Sequence, residues 1–86
     1  EQIAAISTEI LATPGVLGLH ELKTRKTGDM ILADVHLEID GSLSVTEGHD
    51  IAELARINVM TRHPVLYLLV HVDPVMPPAP GCPRGA

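Results

Sequence analysis

A short apolar run near the end of the chain, LYLLVHVDP at positions 66–74, constrains the fold more than any other stretch. The run is too short for a helix and rich in residues that favour sheets, so it predicts a strand. Pro74 has no backbone N–H for a sheet ladder and is expected to end this strand after about five to eight residues. Alternation along the strand places Leu66, Leu68, Val70 and Val72 on a purely apolar face and Tyr67, Leu69, His71 and Asp73 on the opposite one.

The second face of this strand changes from apolar residues to His71 and Asp73 where the strand is predicted to end. An imidazole and a carboxylate two residues apart can converge on one metal ion. A His-x-Asp pair is common by chance, so by itself it indicates a metal site only weakly. The five histidines of the chain therefore have to be considered as a set.

Length and composition limit how stable this chain can be by itself. Its 86 residues form one domain, and a domain of this size buries only about 60% of the surface that its unfolded chain exposes. With no Trp, no Phe and one Tyr, the core must consist of Ile, Leu, Val and Ala. Such a small aliphatic core favours support from a partner or an ion. The net charge of -5 argues against nucleic-acid binding, which needs a basic face.

No run approaches the roughly 18 apolar residues that cross a membrane. Cys82 is the single cysteine and has no internal disulfide partner, which suits a reducing compartment. The chain has no starting Met and opens inside a predicted helix, so we expect it to be part of a longer protein. Residues 75–86 are rich in Pro and Gly and predict a disordered tail that follows a domain of residues 1–74.

The spacing of apolar residues in the first half of the chain predicts one helix and two strands. Isoleucines at positions i, i+3 and i+7 form one stripe of a helix over residues 2–13. A strand is predicted over residues 16–24 and a clearer one over 30–39. In the second of these strands every other residue is apolar, and His36 lies on the polar face.

A capping box formed by Ser44 and Glu47 predicts the start of another helix. This helix should end near His63, because a residue that precedes proline avoids helical angles. The predicted order is therefore helix, strand, strand, helix, strand, an α+β fold with both helices on one face of a three-stranded sheet. The other face of the sheet stays uncovered, and such a face on a small domain usually finds a partner.

Four histidines and one aspartate are the candidate metal ligands. Each histidine taken singly is more simply a solvated or hydrogen-bonded residue, but several elements each carry one. Nitrogen and carboxylate ligands at this count suit zinc, with cobalt, nickel, iron or manganese less preferred. His63 matches no strand face and is predicted to be a surface or capping residue. The candidate ligands are His20, His36, His49, His71 and Asp73.

Alternation alone does not decide which way His20 points in the first strand. His20 shares one face with Val16, Gly18 and Leu22, while two further leucines lie on the other face. Either face could therefore be the buried one. A metal site that uses His20 could accordingly draw on a neighbouring chain.

Four motifs, in order along the chain, carry a resemblance to a known family. They are PGVLGLHELKTR at positions 14–25, VHLEID at 35–40, EGHDIA at 47–52 and VHVDP at 70–74. Together they resemble the C-terminal cytoplasmic domain of cation diffusion facilitator transporters, over residues 2–74. The resemblance implies a ferredoxin-like, metallochaperone-like αββαβ fold that dimerises below a transmembrane domain. It also implies metal ligands at or near the dimer interface, as in zinc-transporting members, at His20, His36, His49, His71 and Asp73.

The resemblance thus predicts the regulatory domain of a divalent-cation/proton antiporter for zinc, iron or manganese efflux. Its place would be the cytoplasmic side of an inner membrane or a magnetosome membrane, as a homodimer attached to the membrane domain. We expect a divalent metal ion, zinc first with iron or manganese as alternatives, and no enzymatic activity, since no pocket for a metal beside a general base is evident. The alternative is a metal-independent structural dimerisation domain of the same transporter.

Overall fold

The described part of the chain folds into two helices and three strands in the order αββαβ. The computed structural model describes residues 2–76, with side chains from residue 3 onward. The central strand of the sheet is the second, which is antiparallel to the first and parallel to the third. The α+β architecture predicted from the sequence is confirmed. The elements are α1 (Gln2–Leu11), β1 (Val16–Thr27), β2 (Met30–Asp40), α2 (Val45–Arg62) and β3 (Val65–Val75).

Every second residue of β2 is buried, as its alternating pattern predicts. Ile6 and Ile10 of α1 and Ala55 and Val59 of α2 join these residues in one buried cluster, so both helices cover the same face of the sheet. Burying one large aliphatic side chain stabilises a fold by roughly 1.5–3 kcal/mol, and this cluster therefore holds the helices to the sheet. The buried residues of β2, each at most 5% exposed, are Ile31, Ala33, Val35, Leu37 and Ile39.

Local signals determine where α2 begins and ends. The Ser44 hydroxyl accepts the N–H of Glu47 at 3.0 Å, and the Glu47 carboxylate accepts the N–H of Ser44 at 2.9 Å, which completes the predicted capping box. His63 is the C-terminal cap, with extended backbone angles before Pro64, and its N–H donates to Val59. The His63 side chain is only 16% exposed and lies 3.6 Å from the Glu9 carboxylate. Of the two roles predicted for His63, surface or capping, the structure confirms the capping role.

Strand β3 is longer than its sequence suggests. It runs for 11 residues to Val75, and Pro74 pairs with Ile39 inside the ladder, so the prediction that Pro74 ends the strand was wrong. β3 is an edge strand of the sheet. A proline is tolerated on an edge strand because its missing N–H need not leave a ladder bond unmade.

The start of β3 also departs from strict alternation. Val65 pairs with Ile31, but the next residue of β2, Leu32, pairs with Tyr67, which leaves Leu66 as an extra residue in a bulge. Leu66 is 53% exposed, so its predicted place on the buried face was wrong. Beyond the bulge the alternation holds. Leu68 is fully buried, and His71 and Asp73 lie on the opposite face.

The predicted tail at residues 75–86 lies largely outside the described residues. Val75 is the last residue of β3 and Met76 follows it. The predictions for Cys82 and for the rest of the tail, residues 77–86, fall outside the described part of the chain. Among residues 2–76, no helix is long and apolar enough to cross a membrane.

The capping box predicts a stability effect at one hydroxyl. Ser44→Ala removes the acceptor for the Glu47 N–H and is expected to lower the free energy of unfolding by about 1 kcal/mol. The measurement is urea unfolding followed by circular dichroism. Thr46→Ala is the control, because Thr46 lies in the same turn and makes no side-chain hydrogen bond among the described residues. An equal loss in both variants would contradict the role of the cap.

Candidate metal centre

Two bulges in β1 decide the orientation of His20. Val16 pairs with the buried Ile39, and Gly18 then pairs with Glu38 on the open face, so one residue of β1 is extra between them. A second register shift follows His20. Between the two bulges His20 pairs with His36, which places both imidazoles on the open face of the sheet. Because a bulge reverses the alternation, Val16 and His20 lie on opposite faces although they are four residues apart.

Three imidazoles form a row across the open face, one from each strand. The rings of His20 and His36 are stacked with centroids 5.1 Å apart, and those of His36 and His71 with centroids 4.7 Å apart. The row follows from the register, since His36 of the central strand pairs with His20 on one side and His71 on the other.

The carboxylate of Asp73 lies between two of these imidazoles. Its Oδ2 atom is 3.0 Å from Nε2 of His20 and 3.1 Å from Nδ1 of His36. Each strand therefore contributes one residue to a group whose ligand atoms all lie within 4.8 Å of one another. All three side chains are between 32% and 42% exposed, so an ion can reach them from solvent.

Two of the three separations between the candidate ligand atoms are close to those around a small divalent ion. Two ligands bonded at about 2.0–2.1 Å to one tetrahedral zinc ion lie about 3.3–3.4 Å apart. The separations of 3.0 and 3.1 Å at Asp73 need to widen by only a few tenths of an ångström to reach this value. Two imidazole nitrogens and one carboxylate oxygen are also a donor set that zinc accepts, with a fourth position left for water or another ligand.

The charges around the group favour a cation. Glu38 lies 3.4 Å from Nδ1 of His20, and Glu21 lies 3.7 Å from Nε2 of His36. Among the described residues, no Lys or Arg forms an ion pair with Glu21, Glu38 or Asp73. Three carboxylates thus surround two imidazoles without a fixed cation to balance them, and a bound divalent ion would supply that charge.

Arg56 in the helix layer is already paired. A hydrogen bond from Arg56 to Glu53 lowers the pKa of the Glu53 carboxyl and raises the pKa of the Arg56 guanidinium. The guanidinium carbon also lies 5.6 Å from the centre of the Tyr67 ring. At the end of β2, hydrogen bonds from the backbone and the hydroxyl of Ser42 lower the pKa of Asp40. These shifts belong to helix and turn contacts and not to the row of imidazoles.

The structure brings together three of the five predicted ligands and leaves two apart. His71 is stacked on His36 but is outside the three-residue group. His49 is exposed near the start of α2, in the layer on the other side of the sheet, where it lines a groove of about 480 Å³ between α2 and β3. A single chain therefore does not bring His49 to the three ligands.

Two residues near the ligands were missed from the sequence. Glu38 could have been found, because it follows His36 by two residues on the polar face of a strand with clear alternation. Glu21 could not, because its place beside His36 depends on the bulge that follows His20. Glu21 also has a positive φ of 54°, a left-handed backbone conformation that is uncommon outside glycine.

Nearly the whole chain is similar to one known protein family. Residues 1–75 match the model of the cation efflux protein cytoplasmic domain. The cation-efflux pump FieF of Shewanella oneidensis is 40% identical over 62 residues, which are 72% of this chain and 21% of that protein. Metal tolerance protein C1 of Arabidopsis thaliana is 35% identical over 75 residues, 86% of this chain and 16% of that protein. The chain thus spans about a fifth of the length of these relatives.

Solved structures of the MamM CTD share the fold. A manganese form has a TM-score of 0.81 at 27% identity, and a nickel form a TM-score of 0.82 at 25% identity, each over 86% of this chain and 95% of that chain. A cadmium form has a TM-score of 0.82. The metallochaperone-like αββαβ fold expected from the sequence is therefore confirmed.

Of the three candidate ligands, Asp73 is the one whose loss is expected to weaken metal binding most, because its oxygen lies next to both imidazoles. Asp73→Ala removes the oxygen shared by His20 and His36. We expect it to weaken zinc binding by the chelator-treated chain by more than about tenfold, since loss of outer partners alone often costs that much. The measurement is isothermal titration calorimetry. Asp50→Ala, an exposed position of α2, is the control for the loss of one charge, and equal affinities of the two variants would contradict this site.

Proposed function

This chain belongs to the cation efflux family as a cytoplasmic domain, and on that premise we propose that it senses divalent metal for a cation/proton antiporter. The ion binds between His20, His36 and Asp73, and binding regulates transport by the attached membrane domain. The observation that carries this proposal is the Asp73 oxygen placed about equally far from two imidazole nitrogens of two other strands. The relatives are named as an efflux pump and a metal tolerance protein, which supports a role in transport and not in catalysis.

Zinc is the metal that we propose first. Two imidazoles and a carboxylate on a half-exposed surface suit zinc, while iron or manganese would be selected by supply more than by affinity. The cadmium, nickel and manganese forms of the MamM CTD support binding of a divalent ion by this fold without ranking the metals.

A second copy of the chain would complete the ligand set. His49 lies on the helix side of its own sheet, so it can join His71 and Asp73 only from a partner chain. Strand β3 also exposes apolar side chains, since Leu69, two residues before His71, and Leu66, near the start of the strand, are each about half exposed. An exposed apolar surface next to an incomplete ligand set favours a homodimer with metal at its interface.

The proposed regulation works through charge. Each chain carries a formal charge of -5, so two copies repel each other where their acidic open faces meet. Divalent ions bound between them remove this repulsion and draw the copies together, which biases the attached membrane domain. We call the arrangement with the two copies drawn together the closed state. At a concentration of about a hundred times its dissociation constant, an ion that binds only this state stabilises it by roughly 2.7 kcal/mol. That is enough to shift the equilibrium between the open and closed dimers.

Calorimetry combined with small-angle X-ray scattering tests this proposal. We expect the chelator-treated chain to bind zinc, to become more compact as zinc is added, and to lose both effects in the double variant His71→Ala, Asp73→Ala. A chain that has the same shape with chelator and with zinc would instead be a metal-independent dimerisation domain. Titration with manganese and iron(II) under the same conditions ranks the metals.

Mixed dimers test whether His49 acts across the interface. A dimer of two His49→Ala chains has no His49, and a dimer of two His71→Ala chains has no His71. Neither dimer therefore contains a complete His49–His71 pair. A dimer that contains one chain of each variant keeps one complete pair, but only if His49 and His71 come from different chains. We therefore expect mixing to restore metal-dependent compaction in part. No restoration on mixing would place His49 outside the site.

A further inference from the structure

Each imidazole of the candidate metal centre lies between two carboxylates. His20 directs Nε2 to Asp73 and Nδ1 to Glu38, at 3.0 and 3.4 Å. His36 directs Nδ1 to Asp73 and Nε2 to Glu21, at 3.1 and 3.7 Å. The two rings thus turn opposite nitrogens toward the shared oxygen.

A neutral imidazole has one N–H and one free nitrogen, and a metal ion binds only the free one. With an ion beside Asp73, the proton of each ring must therefore lie on the nitrogen that faces a glutamate. A carboxylate that accepts this N–H fixes the tautomer, orients the ring and makes the other nitrogen a stronger ligand. A carboxylate lies 3.4 Å from the outer nitrogen of His20 and another 3.7 Å from that of His36, so each needs to move by a few tenths of an ångström to accept this N–H.

The backbone of β1 makes room for the first acceptor. Gly18 pairs with Glu38 on the open face, and a Cβ atom at Gly18 would lie 2.8 Å from Oε1 of Glu38. Because Gly18 has no side chain, the Glu38 carboxylate can extend across the strand toward His20. A methyl group at this position would displace the carboxylate without removing its charge.

The second acceptor depends on the bulge after His20. The register shift there spans Glu21, whose φ of 54° is a conformation that costs free energy for any residue with a Cβ atom. Strained residues of this kind concentrate at functional sites. The residue with this strained backbone, Glu21, also places its own carboxylate within 4 Å of the outer nitrogen of His36.

We propose that Glu38 and Glu21 are positioning residues that set the tautomers of His20 and His36, so that His20 offers Nε2 and His36 offers Nδ1 to the same ion. This inference rests on the proposed function, since it concerns the same ion. Glu38 and Glu21 do not bind the metal themselves, but they determine how tightly His20 and His36 bind it.

The test compares zinc affinity and ring tautomers in the 86-residue chain. In the zinc-loaded wild type, long-range proton–nitrogen spectra of labelled histidines should show the proton of His20 on Nδ1 and that of His36 on Nε2. Glu38→Ala and Glu21→Gly should each weaken zinc binding by about 10- to 100-fold. Glu38→Gln keeps a hydrogen-bond acceptor and should lose less affinity than Glu38→Ala.

Three controls separate positioning from charge and from folding. Asp34→Ala removes the same charge from an exposed position on the open face of β2, and its zinc affinity should stay close to that of the wild type. Gly18→Ala keeps every charge and should still weaken binding, because it moves the Glu38 carboxylate. Glu21→Gly should not lower the melting temperature of the metal-free chain, because glycine adopts a positive φ without strain.

The outcomes distinguish this inference from the proposed function. If the wild type binds no zinc, both fail. If the wild type binds zinc but the glutamate variants lose no more affinity than Asp34→Ala, or the tautomers are the reverse of those expected, the positioning role alone is overturned. If metal-free Glu21→Gly melts at a lower temperature than the metal-free wild type, the positioning role of Glu21 is likewise rejected, because Glu21 would then stabilise the fold itself.

Discussion

The burial of one face of β2 is the constraint on which the rest of the structure depends. Both helices pack on this face, and water is excluded from alternate residues of the central strand. The polar residues of β2 must therefore share the other face, and the ladders to β1 and β3 bring the polar residues of those strands beside them. A hydrophobic pattern thus determines the place of every ligand on the open face, although no ligand belongs to the core.

Sequence reasoning was reliable where one physical signal acted alone. The capping box of α2 and the alternation of β2 are local, so the helix start and the exposed face of His36 could be predicted. The orientation of His20 could not, because two bulges reverse the alternation on either side of it; Gly18 lies at the first bulge, but no glycine or proline marks the second. The extension of β3 past Pro74 depended on its edge position, which is a property of the whole sheet.

Among the described residues, the carboxylates around His20 and His36 have no Lys or Arg partner that balances their negative charge. Arg56 is paired with Glu53 on the helix, and the Arg62 guanidinium lies 3.3 Å from the Glu9 carboxylate on α1. In the described part of the chain, Glu21, Glu38 and Asp73 on the open face have imidazoles as their ion-pair partners. A fixed arginine there would neutralise the face permanently and compete with a metal ion for Asp73. Because no described Lys or Arg is paired with Glu21, Glu38 or Asp73, the charge of these three carboxylates is not neutralised by a fixed cation.

The parallel pairing of β2 with β3 has a consequence for the order of assembly. β1 and β2 form a local hairpin, whereas Asp73 meets His36 across 37 positions of sequence, after the chain has passed through all of α2. Contacts of such separation form late because the loop that they close costs more entropy. The group formed by His20, His36 and Asp73 is therefore complete only when the last strand has docked. Local opening of this edge strand would separate Asp73 from the two imidazoles while the hairpin stays intact, so an ion held by the proposed site would be released when the strand opens.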